Sequence, residues 1–168
     1  VAKKFHVYED PRIDAVQELL PAANCGGCGY PGCRGFAEAL VKGADAGDIS
    51  NLSCPPGGNE CADSYGKYLG MTVEAGTPTV AVLKCGGSCE KSPAKAEYDG
   101  PMNCAIAHTL HSGEGGCPTG CLGCGDCVVS CDFDAMYMDP ETKLPVILED
   151  KCTSCGACVK ACPRDLIE

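Results

Sequence analysis

Tryptophan is absent from this 168-residue chain and phenylalanine occurs only three times. Bulky apolar side chains are therefore too scarce for one large core, and small units held by covalent or metal staples are the alternative. Basic residues are also few: 13 Lys and Arg stand against 23 Asp and Glu, a formal charge of −10. A phosphate backbone needs a basic surface, so this balance argues against nucleic-acid binding. No run approaches the roughly 18 apolar residues of a membrane span, and no signal-peptide pattern is present. Neither a Gly-x-Gly-x-x-Gly at a strand–helix junction nor a Walker-type loop occurs, so no nicotinamide, flavin or nucleotide site is expected. No Ser-His-Asp or Cys-His catalytic grouping stands out. The chain starts at Val1 without an initiator Met, as a processed or trimmed protein would.

Cysteine is what the chain has in excess: 17 residues, near 10 %. Disulfide-rich secreted scaffolds share such a count. Here the number is odd, and the spacings are the short Cys-x-x-Cys type, in which neighbouring thiolates converge on a metal. Thiolate ligands require a reducing compartment, either the cytosol or the cytosolic face of a membrane.

The first segment reads as a helix, with Asp10 as cap, Pro11 in the first turn, and Ile13, Val16, Leu19 and Leu20 as an apolar stripe. A Gly- and Cys-rich loop follows over 24–32, then a helix from about 33 to 41 with Phe36, Ala37 and Leu40 on one face. Residues 54–58 form a turn. Tyr65, Tyr68 and Leu69 suggest another helix with Cys61 on the same side. Residues 70–78 read as a linker, 79–83 as a buried strand leading into Cys85, and 103–111 as helical.

From Cys117 onward the chain is duplicated. Cys121-x-x-Cys124-x-x-Cys127-x-x-x-Cys131 is followed by Cys152-x-x-Cys155-x-x-Cys158-x-x-x-Cys162-Pro163. This is the spacing by which bacterial two-cluster ferredoxins bind a pair of 4Fe–4S clusters. Three cysteines wrap one cubane, and the fourth reaches across to the other. One cluster is then assigned Cys121, Cys124, Cys127 and Cys162, and the other Cys131, Cys152, Cys155 and Cys158. Eight cysteines in this register exceed what tetrahedral zinc sites use. Met136 to Met138 and Val146 to Leu148 flank 139–142 as a hairpin, and strand–helix–strand repeated twice is the expected fold. Asp132 stands where the second copy has Pro163, and its carboxylate should favour the oxidised form of the neighbouring cluster.

Cys25-x-x-Cys28-x-x-x-x-Cys33, with Cys54 twenty-one positions later, is a different arrangement. The count and the glycines suit a cubane, although a structural zinc would also accept four thiolates. The stretch 24–33, Asn-Cys-Gly-Gly-Cys-Gly-Tyr-Pro-Gly-Cys, followed by Cys54-Pro55-Pro56-Gly57-Gly58, resembles the 4Fe–4S module of RnfB, the iron–sulfur B subunit of Rnf complexes. Related modules occur in corrinoid iron–sulfur proteins, whose barrel and cobalamin domains this chain is too short to contain. Residues 3–12 resemble the juxtamembrane region of RnfB, and the duplicated unit follows in that family's order. The resemblance thus covers nearly the whole chain.

The resemblance implies that Cys25, Cys28, Cys33 and Cys54 hold the N-terminal cluster, leaving Cys61 as a buried helix-face thiol. It departs from the family at Cys124, usually not a cysteine in RnfB-like chains, where an upstream cysteine supplies that ligand. Cys117 occupies the upstream position and is a possible substitute for Cys124. Cys85, Cys89, Cys104 and Cys117 stand outside the three clusters and allow a fourth cluster or a metal ion. Cys104, His108 and His111 at helical spacing would suit zinc. Buried thiols and a solvated helix are the plain alternative.

The expected architecture is small α+β and cluster-stabilised: a helical N-terminal 4Fe–4S module (1–70), a connecting strand/helix region (71–116) and a two-cluster ferredoxin fold (117–168). The resemblance further implies an electron relay between soluble ferredoxin and other Rnf subunits. It places the chain at the cytosolic face of the cell membrane, peripheral or anchored by a segment not in this chain. A free-standing soluble polyferredoxin is the alternative. Lys151, Lys160 and Arg164 form a local basic patch suited to an acidic ferredoxin.

Overall fold

In the computed structural model, residues 9–73, 76–110 and 113–168 are described. The chain divides into two compact units, Val1–Pro78 and Thr79–Glu168.

The first unit is helical. Helix α1 (Pro11–Glu18) begins where Asp10 accepts a hydrogen bond from the Arg12 amide at 2.9 Å, with Pro11 at the first position. Its apolar stripe buries Val16 and Leu20 against helix α2 (Gly32–Ala46). Helix α2 runs one turn further than the apolar face at 36–40 indicates, because Ala44 and Ala46 continue it until Gly47 ends it at φ +82°. Helix α3 (Gly58–Leu69) closes the unit. Phe36, Leu40, Ile49 and Tyr65 are fully buried, each ring or branch contributing about 1.5–3 kcal/mol. Tyr65 donates its hydroxyl to the Leu52 carbonyl at 3.0 Å and meets Phe36 edge-on. Tyr68, expected on the same face, points outward and is half exposed. The packed stripe of α3 is Cys61, Ala62, Tyr65 and Gly66.

The second unit carries three short helices among its described residues, α4 (Cys104–Leu110), α5 (Asp126–Val129) and α6 (Ala157–Ala161). Between α5 and α6 lies a two-stranded antiparallel sheet, β1 (Met136–Met138) with β2 (Pro145–Ile147), in register Tyr137↔Val146. The hairpin falls where the sequence placed it, with Asp139 accepting from the Glu141 amide and the Thr142 hydroxyl in the turn. The duplication reaches the backbone. Gly123 and Ser154, Gly125 and Gly156, and Asp134 and Asp165 each stand 31 positions apart, and all six adopt left-handed φ.

Two expectations change. Strand–helix–strand does not recur as two sheet-bearing halves within 117–168, since one two-stranded sheet is the whole of the regular pairing among the described residues. The second pairing instead recruits residues 82–84, which run antiparallel to 166–168: Val82 and Glu168 exchange backbone hydrogen bonds at 2.8 and 3.1 Å, and Leu83 bridges Ile167. Residues 79–83 therefore lie at an edge, with Val82 51 % exposed, and are not a buried strand. The described residues from 79 to 116 fold within this second unit. No helix among the described residues is long and apolar enough to cross a membrane.

Candidate metal centres

No disulfide joins any of the 17 cysteines. In the first unit one cavity is lined by Cys25, Cys28, Cys33 and Cys54. The loop that carries the first three is fixed by Asn24, which adopts φ +49° and accepts from the Cys33 amide at 2.9 Å. Gly26, Gly29 and Gly32 also take positive φ, letting the chain turn tightly around the cavity. Cys54 arrives from the turn before α3, where Gly57 packs against it. A Cβ on Gly57 would fall 2.6 Å from Cys61 Cβ and 3.3 Å from Cys54 Sγ, so this cradle admits glycine alone.

Cys61 is buried beside this cavity and points its thiol at the Leu19 carbonyl at 3.4 Å. It also hydrogen-bonds Cys54, which pulls the Cys54 thiol down to about 6, while the same pairing and burial push Cys61 up. Cys54 is thus poised as a thiolate, the form a metal binds. Sequence spacing placed Cys61 on the buried face of α3 but gave no sign of its contact with Cys54.

In the second unit one cavity is lined by Cys131, Cys152, Cys155 and Cys158, three thiols of the second motif joined by the last of the first. The reciprocal cavity is lined by Cys121, Cys127 and Cys162, with Cys104 as its fourth thiol. Cys124 lies next to it, hydrogen-bonded to Cys104 and pushed up to about 11, by burial first and by Cys104 second. Burial likewise pushes Cys127 up to about 12. Cys104 reaches this position because Asp126, at the start of α5, accepts from the Cys104 and Ala105 amides and so docks the N-terminus of α4. Nothing in the cysteine spacing signals this link. Cys117 lines an open cleft with Cys85, Cys89 and Cys121, the last of which borders the dicluster cavity as well. Of the Cys104–His108–His111 group, His108 is exposed and His111 lies outside the described residues.

Backbone amides serve two of these sulfurs: Ala81 donates to Cys152 and Leu166 to Cys162, each at 3.4 Å. Among the described residues no three His, Cys, Asp or Glu side chains converge closely enough to hold a single metal ion. A tetrahedral ion needs its sulfurs about 2.3 Å from one point. Thiols arrayed around a cavity instead fit a cluster, whose four irons each take a separate ligand. Four cysteines per cavity, tight glycine turns and amide donors to sulfur together fit 4Fe–4S clusters.

Similarity to known proteins defines the class. Residues 20–48 match the family model described as "Putative Fe-S cluster", and residues 120–166 match the 4Fe–4S dicluster domain. These matches define an iron–sulfur protein. More particularly, it is a homologue of RnfB, the B subunit of Rnf complexes. It is 46 % identical over 166 residues to the B subunit of the Na(+)-translocating ferredoxin:NAD(+) oxidoreductase complex of Acetobacterium woodii, covering 99 % of this chain and 48 % of the relative. It is 42 % identical to the proton-translocating counterpart of Clostridium ljungdahlii, covering 89 % of this chain and 51 % of that protein. To the B subunit of the ion-translocating oxidoreductase complex of Methanosarcina acetivorans it is 41 % identical, over 91 % of this chain and 56 % of the relative. The chain spans about half the length of the curated relatives it matches.

Proposed function

We propose that this chain relays single electrons from reduced ferredoxin toward other subunits of a membrane-bound, ion-translocating Rnf complex, at the cytosolic face of the membrane. The observation that carries the reading is the crossed cavity in the second unit, where Cys131 of the first motif joins Cys152, Cys155 and Cys158 of the second. The match to the Acetobacterium woodii relative along 99 % of the chain supports it. The ferredoxin:NAD oxidoreductase activity belongs to the complex as a whole.

Cys25, Cys28, Cys33 and Cys54 hold the N-terminal cluster. Cys131, Cys152, Cys155 and Cys158 hold one dicluster site. Cys127 and Cys162 hold the other, with two more thiols from Cys104, Cys121 and Cys124. A bound 4Fe–4S cluster supplies one-electron chemistry over a range of roughly −700 to +450 mV, tuned by charge, hydrogen bonds and exposure. The Ala81 and Leu166 amides donate to ligand sulfurs and so favour added negative charge. Exposed Asp132, beside Cys131, opposes it.

Ferredoxin docks at the basic residues of the last motif. Lys151 and Lys160 are exposed, whereas Arg164 is held by the Gly120 carbonyl and His108. The two lysines therefore carry the encounter. Lys151→Glu with Lys160→Glu should raise the KM for reduced ferredoxin several-fold and leave the visible spectrum unchanged. An unchanged KM rejects this face. Anaerobic mixing with reduced ferredoxin should bleach the thiolate-to-iron absorbance of the reconstituted chain. A colourless, zinc-loaded protein would overturn the relay, and failure to co-purify with other Rnf subunits would favour a free-standing polyferredoxin.

A further inference from the structure

The second unit contains 12 of the 17 cysteines, four more than a dicluster domain uses. They are not scattered. An open cleft of about 600 Å³ is lined by Cys85, Cys89, Cys117 and Cys121. Its walls come from three segments that hydrogen bonds hold in place. The segment after Cys85 is tied to the one before Cys117 by Lys95 N to Glu114 O at 2.8 Å, Gly116 N to Pro93 O at 3.1 Å, and Cys117 N to Ser92 Oγ at 3.1 Å. The hairpin turn forms the third wall, where Cys89 directs its thiol at the Thr142 carbonyl at 3.6 Å.

The sulfur of Cys85 accepts a hydrogen bond from the Cys121 amide at 3.4 Å. The same bond, at the same length, serves Cys152 and Cys162 in the dicluster sites. Such amide donors stabilise thiolate sulfur on a cluster. Gly86, Gly87, Gly115 and Gly120 border the cleft and leave the backbone close to its interior. A single ion does not suit it, because no three such side chains among the described residues converge on one point.

Cys121 belongs to two cavities at once, this cleft and the neighbouring dicluster site. The dicluster site is complete without it. Cys104 lines that site and is hydrogen-bonded to Cys124, and with Cys127 and Cys162 they make four thiols. We propose that the cleft binds a fourth 4Fe–4S cluster through Cys85, Cys89, Cys117 and Cys121, and that the adjacent dicluster site is held by Cys104, Cys124, Cys127 and Cys162. This rests on the electron-relay reading above and extends it. The 12 cysteines of the unit then serve three cubanes with none left over. The four thiols replace the four terminal thiolates that hold a preassembled core on its carrier, each passing one proton to the thiolate that leaves, and no electron changes hands in that exchange. Cys89 and Cys117 are exposed, so this cluster faces solvent.

The test is iron and acid-labile sulfide per chain after anaerobic cluster loading of the full chain, with Mössbauer and electron paramagnetic resonance spectra. Unmodified protein should hold about sixteen of each, and Cys89→Ser with Cys117→Ser about twelve, with the signals of the other three clusters retained. Cys89→Ser alone, at an exposed position that leaves the packed core untouched, should also lose the fourth signal. Cys104→Ser should alter the spectrum of a dicluster site and not that of the cleft. About twelve irons in the unmodified chain, or no loss from the Cys89 and Cys117 variants, overturns the fourth cluster while leaving the three-cluster relay standing. Zinc without sulfide overturns the relay itself.

Discussion

The Asp126 carboxylate accepts a hydrogen bond from the Cys104 amide at 2.9 Å, across 22 residues of chain. One side chain thereby caps α4 and positions a thiol at a cavity lined also by Cys121, Cys127 and Cys162. Asp126→Ala should cost about 1 kcal/mol, the usual value of a lost cap. It should also change the paramagnetic signal of the adjacent cluster. Asp126→Asn keeps an acceptor and should restore most of both. An alanine variant with unchanged spectrum and Tm would dismiss the coupling.

Gly57 leaves no room for a side chain beside Cys54 and Cys61. Gly57→Ala drives a methyl group against Cys61 Cβ at 2.6 Å and Cys54 Sγ at 3.3 Å. Overpacking of this kind costs about 1–3 kcal/mol. Iron analysis should show the N-terminal cluster lost or labile, with the dicluster signals intact. Retention of all clusters would show that the turn can shift.

In the metal-free chain Cys54 is held below the usual thiol range, to about 6, chiefly by the hydrogen bond from Cys61. A depressed folded-state value stabilises the metal-free fold above the ordinary thiol pKa, and that contribution is lost as pH falls through about 6. Iodoacetamide should therefore alkylate Cys54 readily at neutral pH, before Cys61. Cys61→Ala removes the donor and should slow alkylation of Cys54. Mass-spectrometric mapping across pH 5 to 9 reads this directly, and equal rates in both proteins would reject the pairing.

Gly123 and Ser154 occupy equivalent left-handed positions in the two motifs, at φ +73° and +55°. Gly123→Ala adds a Cβ 3.3 Å from the Lys143 carbonyl and strains the backbone, at a cost of about 1–2 kcal/mol. Ser154→Gly relieves strain but gives up the 2.7 Å hydrogen bond between the Ser154 and Thr79 hydroxyls. Its net effect should be near zero. Thermal melts of the two variants should thus differ in size, and a larger loss in Ser154→Gly would contradict this account.

Spacing made the two motifs and their hairpin legible, because a cubane dictates where its ligands stand and a short turn dictates where strands meet. Capping chemistry did the same for α1 through Asp10 and Pro11. Tyr68 misled, since an aromatic at helical spacing carries no mark of which side of the helix is covered. The roles of Cys61, Cys85 and Cys104 were hidden for a common reason. Each meets its partners through contacts distant in sequence, Cys61 with Leu19 across 42 residues and Cys85 with Cys121 across 36, and no local period records them. Residues 79–83 read as a buried strand from composition alone, while their place at an edge depends on pairing with residues near 168.

That edge pairing decides how the molecule can be dissected. Residues 82–84 lend their backbone to 166–168, and the neighbouring Ala81 amide serves Cys152. A gene fragment cut at Cys117 to yield a minimal ferredoxin would contain every residue of both repeated motifs, yet it would strip one ligand sulfur of its donor and leave the terminal edge bare. The natural excision point is Thr79, about forty residues upstream of where the repeat begins.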